Sequence, residues 1–189
     1  MLKIYFATSN EHKFKEAEEI LSKQGITTSH FKFSHTEIRS DSLEEIADEA
    51  AETAYSQLGK PDAVVFVEDT GLFIEALNGF PGTYSAWVQK KIGSEGLLRL
   101  MAGEKNRSAS FKTCIVAKDS EGTHSFLGEC KGTITENLRG KSGFGYDPIF
   151  IPDGESATFA EKICLKNKLS HRFKSLLLFA DYLASKQRI

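Results

Sequence analysis

Two neighbouring carboxylates, Glu68 and Asp69, directly follow an apolar run at residues 63–67 and precede Thr70. The run is typical of a buried strand, so the sequence places both acids at its carboxyl end, where ligands gather in open α/β sheets. Magnesium usually binds proteins through one or two carboxylates plus substrate phosphates. A polar loop in which Asp69 makes a local turn hydrogen bond is the alternative. The position at the strand end favours a metal site.

The segment Thr8-Ser9-Asn10-Glu11-His12-Lys13 lies where a β-prone stretch gives way to a helical pattern. A helix N-terminus carries free N–H groups and partial positive charge, so a lysine in the first turn is unfavourable unless an anion lies nearby. A phosphate group would be that anion, and Thr8, Ser9 and Asn10 offer it polar partners. On this segment alone, a helix cap with a solvated Lys13 is the favoured interpretation, because no glycine-rich phosphate loop accompanies it.

A third candidate combines the segments Gly143-Phe144-Gly145-Tyr146-Asp147-Pro148 and Ser170-His171-Arg172. Aromatic side chains flanked by glycines can stack closely on a planar base, and Asp147 can accept hydrogen bonds from a purine N–H edge. His171 and Arg172 occupy the first turn of a final helical pattern, where cations suit a carbonyl oxygen or a phosphate. The alternative is that Phe144 and Tyr146 are core aromatics and that Arg172 pairs with a surface acid.

The elements that must position these residues read as an α/β fold with a mixed sheet. The predicted strands are 3–8, 63–67, 108–117, 123–138 and 148–151, with a hairpin signal at 119–122. A helix opens at Asn10 and stops at Gly25, and a second follows the capping box of Ser42 and Glu45 and stops at Gly59. Further helical patterns cover 84–92, 95–101 and the region after Ser170.

Bulk composition bounds the class of protein. A chain of 189 residues with 40% hydrophobic and 26% charged residues fits a single globular domain, here predicted as 1–189 with two lobes. A net charge of −2 argues against binding along a nucleic-acid backbone. The apolar runs are too short to span a bilayer, and no signal peptide is predicted. Three cysteines without a CxxC spacing predict reduced thiols in a cytoplasmic protein.

Six motifs in register resemble those of the inosine/xanthosine triphosphate pyrophosphatases, the Ham1-like family, over essentially the whole chain. They are Thr8-Ser9-Asn10-x-x-Lys13, Val67-Glu68-Asp69-Thr70-Gly71-Leu72, Gly79-Phe80-Pro81-Gly82, Phe144-Gly145-Tyr146-Asp147-Pro148, Thr158-Phe159-Ala160-Glu161 and Lys166-Asn167-x-x-Ser170-His171-Arg172. The resemblance implies an α/β fold with a long twisted mixed β-sheet, flanking helices and two lobes around a central cleft, assembled as a homodimer. It also implies hydrolysis of ITP, dITP and XTP to the nucleoside monophosphate and pyrophosphate, which cleanses the nucleotide pool.

The resemblance assigns each motif residue a role. The triphosphate would be held by Thr8, Ser9, Asn10 and Lys13. Magnesium would be held by Glu37 and Asp69 with Glu68 nearby, and Asp69 is the family's base toward water; manganese takes the same oxygen ligands and stays open. The rest of the substrate would contact Thr70, Phe144 as the stacking ring, Gly145, Tyr146 and Asp147 around the pocket, and Lys166, His171 and Arg172 at the oxygen-bearing edge of the base.

Two departures from the family pattern accompany these assignments. Ala50 stands where many relatives carry a lysine, and the stretch 162–165 is one residue shorter than usual, with Leu165 in place of a common glutamate. Two other functions stay open on the sequence: a related pyrophosphatase acting on pyrimidine or modified-base triphosphates, and a non-catalytic nucleotide-binding protein. The acids Glu37 and Asp69 favour an enzyme, because a binding protein has no need of them.

Overall fold

Residues 2–186 are described by the computed structural model, and within them a single mixed sheet of seven strands is flanked by five helices. The strands are β1 (Lys3–Ala7), β2 (Thr28–Phe31), β3 (Ala63–Ile74), β4 (Pro81–Gly82), β5 (Ser108–Asp119), β6 (Gly122–Ile134) and β7 (Phe150–Pro152). The helices are α1 (Glu11–Ser22), α2 (Leu43–Leu58), α3 (Ser85–Leu100), α4 (Ile163–Leu169) and α5 (His171–Lys186). The predicted α/β fold with a mixed sheet is confirmed.

The sheet combines parallel and antiparallel pairs in the order β2-β1-β3-β5-β6-β7. Strand β1 runs parallel to both β2 and β3, whereas β4 and β7 run antiparallel to β3 and β6. Parallel strands need a crossover connection such as a helix, and here α1 connects β1 to β2 and α2 connects β2 to β3.

The predicted helix starts are confirmed in detail. The side chain of Asn10 accepts hydrogen bonds from the N–H groups of His12 and Lys13, and the Ser42 hydroxyl accepts one from Glu45. Gly59 ends α2 with φ of 62°, the left-handed conformation that glycine adopts without a steric penalty. Both ends of α2 therefore follow from local sequence.

Strand β3 corrects the placement of the two acids. It continues past Val67 to Ile74, so Glu68 and Asp69 lie inside the strand and not after it. The strand continues because Leu72 and Ile74 are fully buried in a hydrophobic core and β4 supplies a partner for its end. Residues 68–71, Glu-Asp-Thr-Gly, interrupt the apolar pattern of the strand, so the sequence alone indicates an end at Val67.

Other element boundaries also differ from the prediction. Strand β6 ends at Ile134 and not at 138, although the Thr135 N–H still donates to the Ile149 carbonyl over 2.8 Å. The strand predicted at 148–151 begins as a 3₁₀ turn at Asp147–Ile149 and continues as β7. The helical patterns at 84–92 and 95–101 are one helix, α3, broken at Gly93. Strand β2 and helix α4 were not predicted.

The chain divides into two compact units. The first contains residues 2–69, 113–128 and 172–186, and the second contains 70–112 and 129–171. The core of the first unit joins β1 and β3 to helices α1 and α5 through Phe6, Phe66 and Phe179. The core of the second unit gathers Leu72, Leu97, Phe111, Phe150 and Phe159. Across residues 2–186, every helix is too short or too polar to cross a membrane.

Candidate active site

In the first unit, the turn that opens α1 is held by its own side chains. Asn10 Oδ1 accepts from the N–H groups of His12 at 3.0 Å and Lys13 at 3.2 Å, and Thr8 Oγ1 accepts from the Asn10 N–H at 3.1 Å. These bonds use neither the hydroxyl hydrogen of Thr8 nor the side-chain N–H groups of Asn10. The turn is thus preformed and keeps donors that an anion at the helix N-terminus can use.

Lys13 is anchored to β3. Its ammonium lies 3.3 Å from the carboxylate of Glu68 and donates to the main-chain carbonyl of Glu68 over 3.4 Å. The side chain of Lys13 is 20% exposed, whereas that of Glu68 is 1% exposed. The lysine is therefore a partly accessible cation held next to the backbone that continues into Asp69, and it is not simply solvated.

Arg172 is the other cation on Glu68. Its Nε and Nη2 donate to the two carboxylate oxygens of Glu68 at 2.8 and 2.6 Å, and its Nη1 donates to Glu16 at 2.5 Å. Burial acts to lower the pKa of the guanidinium, but the charges and hydrogen bonds of Glu68 and Glu16 outweigh burial and raise the pKa above its usual range. Arg172 is a buried member of an ionic cluster formed by Lys13, Glu16, Glu68 and Arg172, the Glu68 cluster.

Glu68 and Asp69 face opposite sides of the sheet, because successive side chains of a strand alternate between its faces. Glu68 shares its face with Val64 and Phe66, which pack against α1 and α5. Asp69 acts on Cys114, whose pKa is raised to about 12 by burial first and then by the charges of Glu44, Asp69 and Asp48. Adjacent in sequence, the two carboxylates do not form a pair aimed at one point.

The two acids assigned to the metal lie on different elements. Asp69 is half-buried in β3, and Glu37 is exposed in the segment between β2 and α2. Among residues 2–186, no group of three His, Cys, Asp or Glu side chains converges as a ready-made metal site. A structural zinc site requires such a closed set, whereas magnesium commonly takes one or two carboxylates and completes its shell with substrate phosphates and water. Glu37 and Asp69 as ligands of magnesium therefore remain a prediction.

A cavity of about 440 Å³ lies elsewhere in the first unit, between the start of α2 and strands β5 and β6. Its lining includes the carboxylates of Glu44, Glu45 and Asp48, and Glu44 accepts a hydrogen bond from Ser125 over 2.6 Å. A lining of this charge repels the phosphates of a nucleotide. The described lining of this cavity holds none of the residues assigned to the nucleotide.

In the second unit, the loop 143–147 presents Phe144 between two left-handed glycines. Gly143 has φ of 76° and Gly145 has φ of 63°. The Phe144 N–H donates to Asp147 Oδ2 over 2.8 Å, and a Cβ at position 143 would lie only 2.1 Å from that oxygen. Glycine is thus required at 143 by both conformation and space, and the loop, here called the base loop, closes on its own aspartate.

Lys166 completes the base loop from α4. Its ammonium lies 2.8 Å from Asp147 Oδ2 and 4.0 Å from the centre of the Phe144 ring. The side chains of Lys166 and Asp147 are only 2% and 3% exposed, whereas Phe144 is half-buried. The cation covers one face of the ring, so a base would stack on the other face.

The other residues assigned to the base have different surroundings. Tyr146 is buried in the core of the second unit, where its hydroxyl donates to the Ser85 carbonyl over 3.1 Å and burial raises its pKa. His171 is buried with its ring stacked on Phe111 at 4.6 Å. Thr70 is half-buried in β3. The structure joins Phe144, Asp147 and Lys166 in one group, and the assigned roles of all these residues toward a base remain predictions.

Several residues with direct contacts to the predicted site were missed from the sequence, among them Glu16, Gln89 and Ser94. Glu16 binds Arg172, and both Gln89 and Ser94 donate to the Gly145 carbonyl. Glu16 could have been found, because it shares a helix face with Lys13 three residues earlier. Gln89 and Ser94 carry no such signal, since their contact joins segments more than 50 residues apart.

Comparison with known proteins gives a consistent set of matches. The Ham1 family model matches residues 4–182. A dITP/XTP pyrophosphatase of Methanopyrus kandleri is 50% identical over 183 residues, covering 96% of each chain. A dITP/XTP pyrophosphatase of Thermococcus kodakarensis is 45% identical, covering 96% of this chain and 97% of its own. The solved HAM1 protein of Coxiella burnetii has a TM-score of 0.82 at 30% identity, covering 98% of this chain and 100% of its own.

Proposed function

Because the chain belongs to the Ham1 family, as its motifs predict, we propose that it hydrolyses dITP, ITP and XTP to the nucleoside monophosphate and pyrophosphate. Relatives at 41–50% identity are named dITP/XTP pyrophosphatases. The structural observation that carries the proposal is the hydrogen bond between Lys13 and the Glu68 carbonyl. It brings a cation from α1 to the backbone of Glu68, one residue before the acid Asp69 that would hold the metal.

The acids and Lys13 have different roles in the proposed hydrolysis. Glu37 and Asp69 would hold magnesium, which neutralises phosphate charge and activates water when it is bound. Asp69 orients the attacking water toward the α-phosphorus and accepts its proton. The bond from the α-phosphorus to the bridging oxygen breaks, and negative charge develops on the departing pyrophosphate. Lys13 and the N-terminus of α1 stabilise that charge.

Glu68 has a different task in this proposal from the one its sequence position indicates. Its carboxylate accepts from Arg172 and lies beside Lys13. A carboxylate bound to two cations in a buried setting is a poor additional ligand, because turning toward a metal would break those hydrogen bonds. We assign Glu68 to positioning Lys13, and leave the metal to Glu37 and Asp69.

Base recognition would use the base loop. Phe144 offers a stacking face, and base–aromatic stacking is worth about 1–3 kcal/mol. Hypoxanthine and xanthine carry an oxygen at C6 where adenine carries an amino group. Donors such as the His171 imidazole would favour the oxygen, and adenine would leave them unpaired. Guanine shares the C6 oxygen, so these donors do not by themselves exclude GTP.

The proposal extends to assembly and location. A homodimer follows the family pattern, and light scattering on the purified chain would measure it. A cytoplasmic location fits an odd number of cysteines, three, without a CxxC spacing. Neither feature is needed for the chemistry proposed above.

The experiment that tests the activity measures pyrophosphate release from ITP, XTP, GTP, ATP and dTTP, each with and without magnesium, and with manganese as a second metal. We expect release from ITP and XTP to be fastest and to require the metal. Release from no nucleotide, combined with tight binding, would instead support a non-catalytic nucleotide-binding protein. Preference for dTTP would support a related pyrophosphatase on pyrimidine nucleotides.

A further inference from the structure

Helix α3 donates two side-chain hydrogen bonds to one carbonyl group of the base loop. Gln89 Nε2 and Ser94 Oγ each donate to the main-chain oxygen of Gly145 at 3.2 Å, and the two side chains lie 3.5 Å from each other. Gln89 is half-buried and Ser94 is buried. All of these residues belong to the second unit, as do Phe144 and Lys166. The pair is here called the Gly145 clamp.

The clamp depends on the break in α3. Residues five apart in a regular α-helix are separated by about 140° around its axis, so their side chains would point in different directions. Gly93 lies between Gln89 and Ser94 with φ of 65° and ψ of −175°, which is outside the helical region. The break redirects the chain, so that both side chains reach the same oxygen.

The carbonyl that the clamp binds belongs to a glycine, the residue type with the greatest backbone freedom. Gly145 has φ of 63°, and an added Cβ there would meet no atom within 4 Å apart from those of its two chain neighbours. A glycine in open space has many accessible backbone conformations and is not held by packing. On the other side of Phe144, the N–H of that residue is already held by Asp147. The clamp fixes the Gly145 carbonyl, and the next residue, Tyr146, is buried in the core, so the backbone is held on both sides of Phe144.

We propose that Gln89 and Ser94 are positioning residues for base recognition, which act by holding the Phe144 ring in the orientation that stacks on a purine. The inference rests on the proposed function, and it assigns to α3 a part in selecting the substrate. A ring held in the stacking orientation before binding loses less conformational entropy when the base arrives. Loss of the clamp therefore weakens binding of the base and leaves the phosphate contacts of Thr8, Asn10 and Lys13 as they were.

The test uses Gln89→Met and Ser94→Ala, which remove the donors with little change in volume, and the double variant. Lys90→Met is the matched control, an exposed neighbour on the same helix. We expect KM for ITP to rise about 3- to 10-fold in each single variant, the worth of one hydrogen bond, with kcat within about twofold of wild type. The inhibition constant of inorganic tripolyphosphate, which has no base, should stay at its wild-type value.

Phe144→Leu supplies a second readout that a merely structural role would not move. Added to Phe144→Leu, the clamp variants should raise KM no further, because the ring they position is gone. Wild-type KM in the clamp variants would overturn the inference. So would an equal rise in the inhibition constant of tripolyphosphate, or a full additional rise in KM beside Phe144→Leu.

Equilibrium binding keeps this test separate from the test of activity. Calorimetric titration of ITP without a divalent metal measures affinity whether or not the nucleotide is hydrolysed. If wild type binds ITP but releases no pyrophosphate, the proposed function fails, and the clamp is still judged by the affinities of its variants. Equal affinities of wild type and the clamp variants, or no binding by wild type, would overturn the proposed role of the clamp.

Discussion

Arg172 and Glu68 form a bidentate ion pair in which both side chains are 1% exposed. Two of the guanidinium nitrogens donate to the two carboxylate oxygens at 2.8 and 2.6 Å. Paired donors of this geometry specify orientation as well as energy, and lysine cannot reproduce them. The pair joins the first turn of α5 to the middle of β3, one residue before Asp69. The part of β3 next to Asp69 is therefore held in place by Arg172, which lies 104 residues after Glu68 in the chain.

Removing the arginine should destabilise the protein strongly. Arg172→Met leaves the buried carboxylate of Glu68 and the partly exposed one of Glu16 without this cation, and breaking a buried pair costs about 3–5 kcal/mol of unfolding free energy. Arg172→Lys should lose less, because the charge remains although the paired donors do not. Urea denaturation measures both, with the exposed Arg99→Met as the matched control. Unchanged stability in Arg172→Met would show that the cluster does not support the fold.

Glu68 and Glu37 should differ in their effect on metal dependence. Glu37→Gln removes a proposed ligand, so the magnesium concentration for half-maximal activity should rise by about 10-fold or more. Glu68→Gln should leave that concentration unchanged and raise KM, because Lys13 loses a partner that positions it. Magnesium titrations of initial rate measure both. A shift in Glu68→Gln as large as that in Glu37→Gln would return Glu68 to the metal site.

Asp69 should be required for turnover and not for folding. Asp69→Asn keeps the size of the side chain and removes the negative charge, so kcat for ITP should fall by about 100-fold or more. Circular dichroism and thermal unfolding check that the fold survives. Asp48→Asn is the control, since Asp48 also acts on Cys114 but has no proposed catalytic role. Wild-type turnover in Asp69→Asn would overturn the assignment of the metal site.

The Cys114 thiol should resist alkylation in the folded protein, and its ionisation equilibrium should lower the stability of the fold at high pH. Burial and the acids around it raise its pKa from 9.0 to about 12. The thiolate is the reactive form, so iodoacetamide at pH 8 should label the exposed Cys164 well before Cys114, as peptide mass spectrometry would show.

The effect of Cys114 on stability has a definite sign. Its folded pKa lies above its unfolded value, so the unfolded thiol ionises first and stability falls between about pH 9 and pH 12. Below that window the thiol contributes no pH dependence. Cys114→Ala should flatten the alkaline part of the curve of unfolding free energy against pH. An unchanged alkaline slope in Cys114→Ala would contradict this account.

Local signals in the sequence predicted local structure well. The caps at Asn10 and Ser42 and the left-handed stop at Gly59 involve contacts within a few residues, so the residue types alone specify them. The same signals failed where a partner strand decided the outcome. The end of β3 is held by β4 and by the burial of Leu72 and Ile74, which no local pattern shows.

By itself, the sequence determined the fold class, the family and the residues with chemical potential, because motif spacing and hydrophobic period are properties of the chain. Only the tertiary structure decided how those residues are used. Whether Glu68 and Asp69 act together depends on the strand that carries them, and its alternation sends their side chains to opposite faces. The partners of Arg172 lie 104 and 156 residues away, and those of Gly145 lie across the break in α3. Contacts at such separations follow from packing of the folded chain, so no local stretch of sequence predicts them.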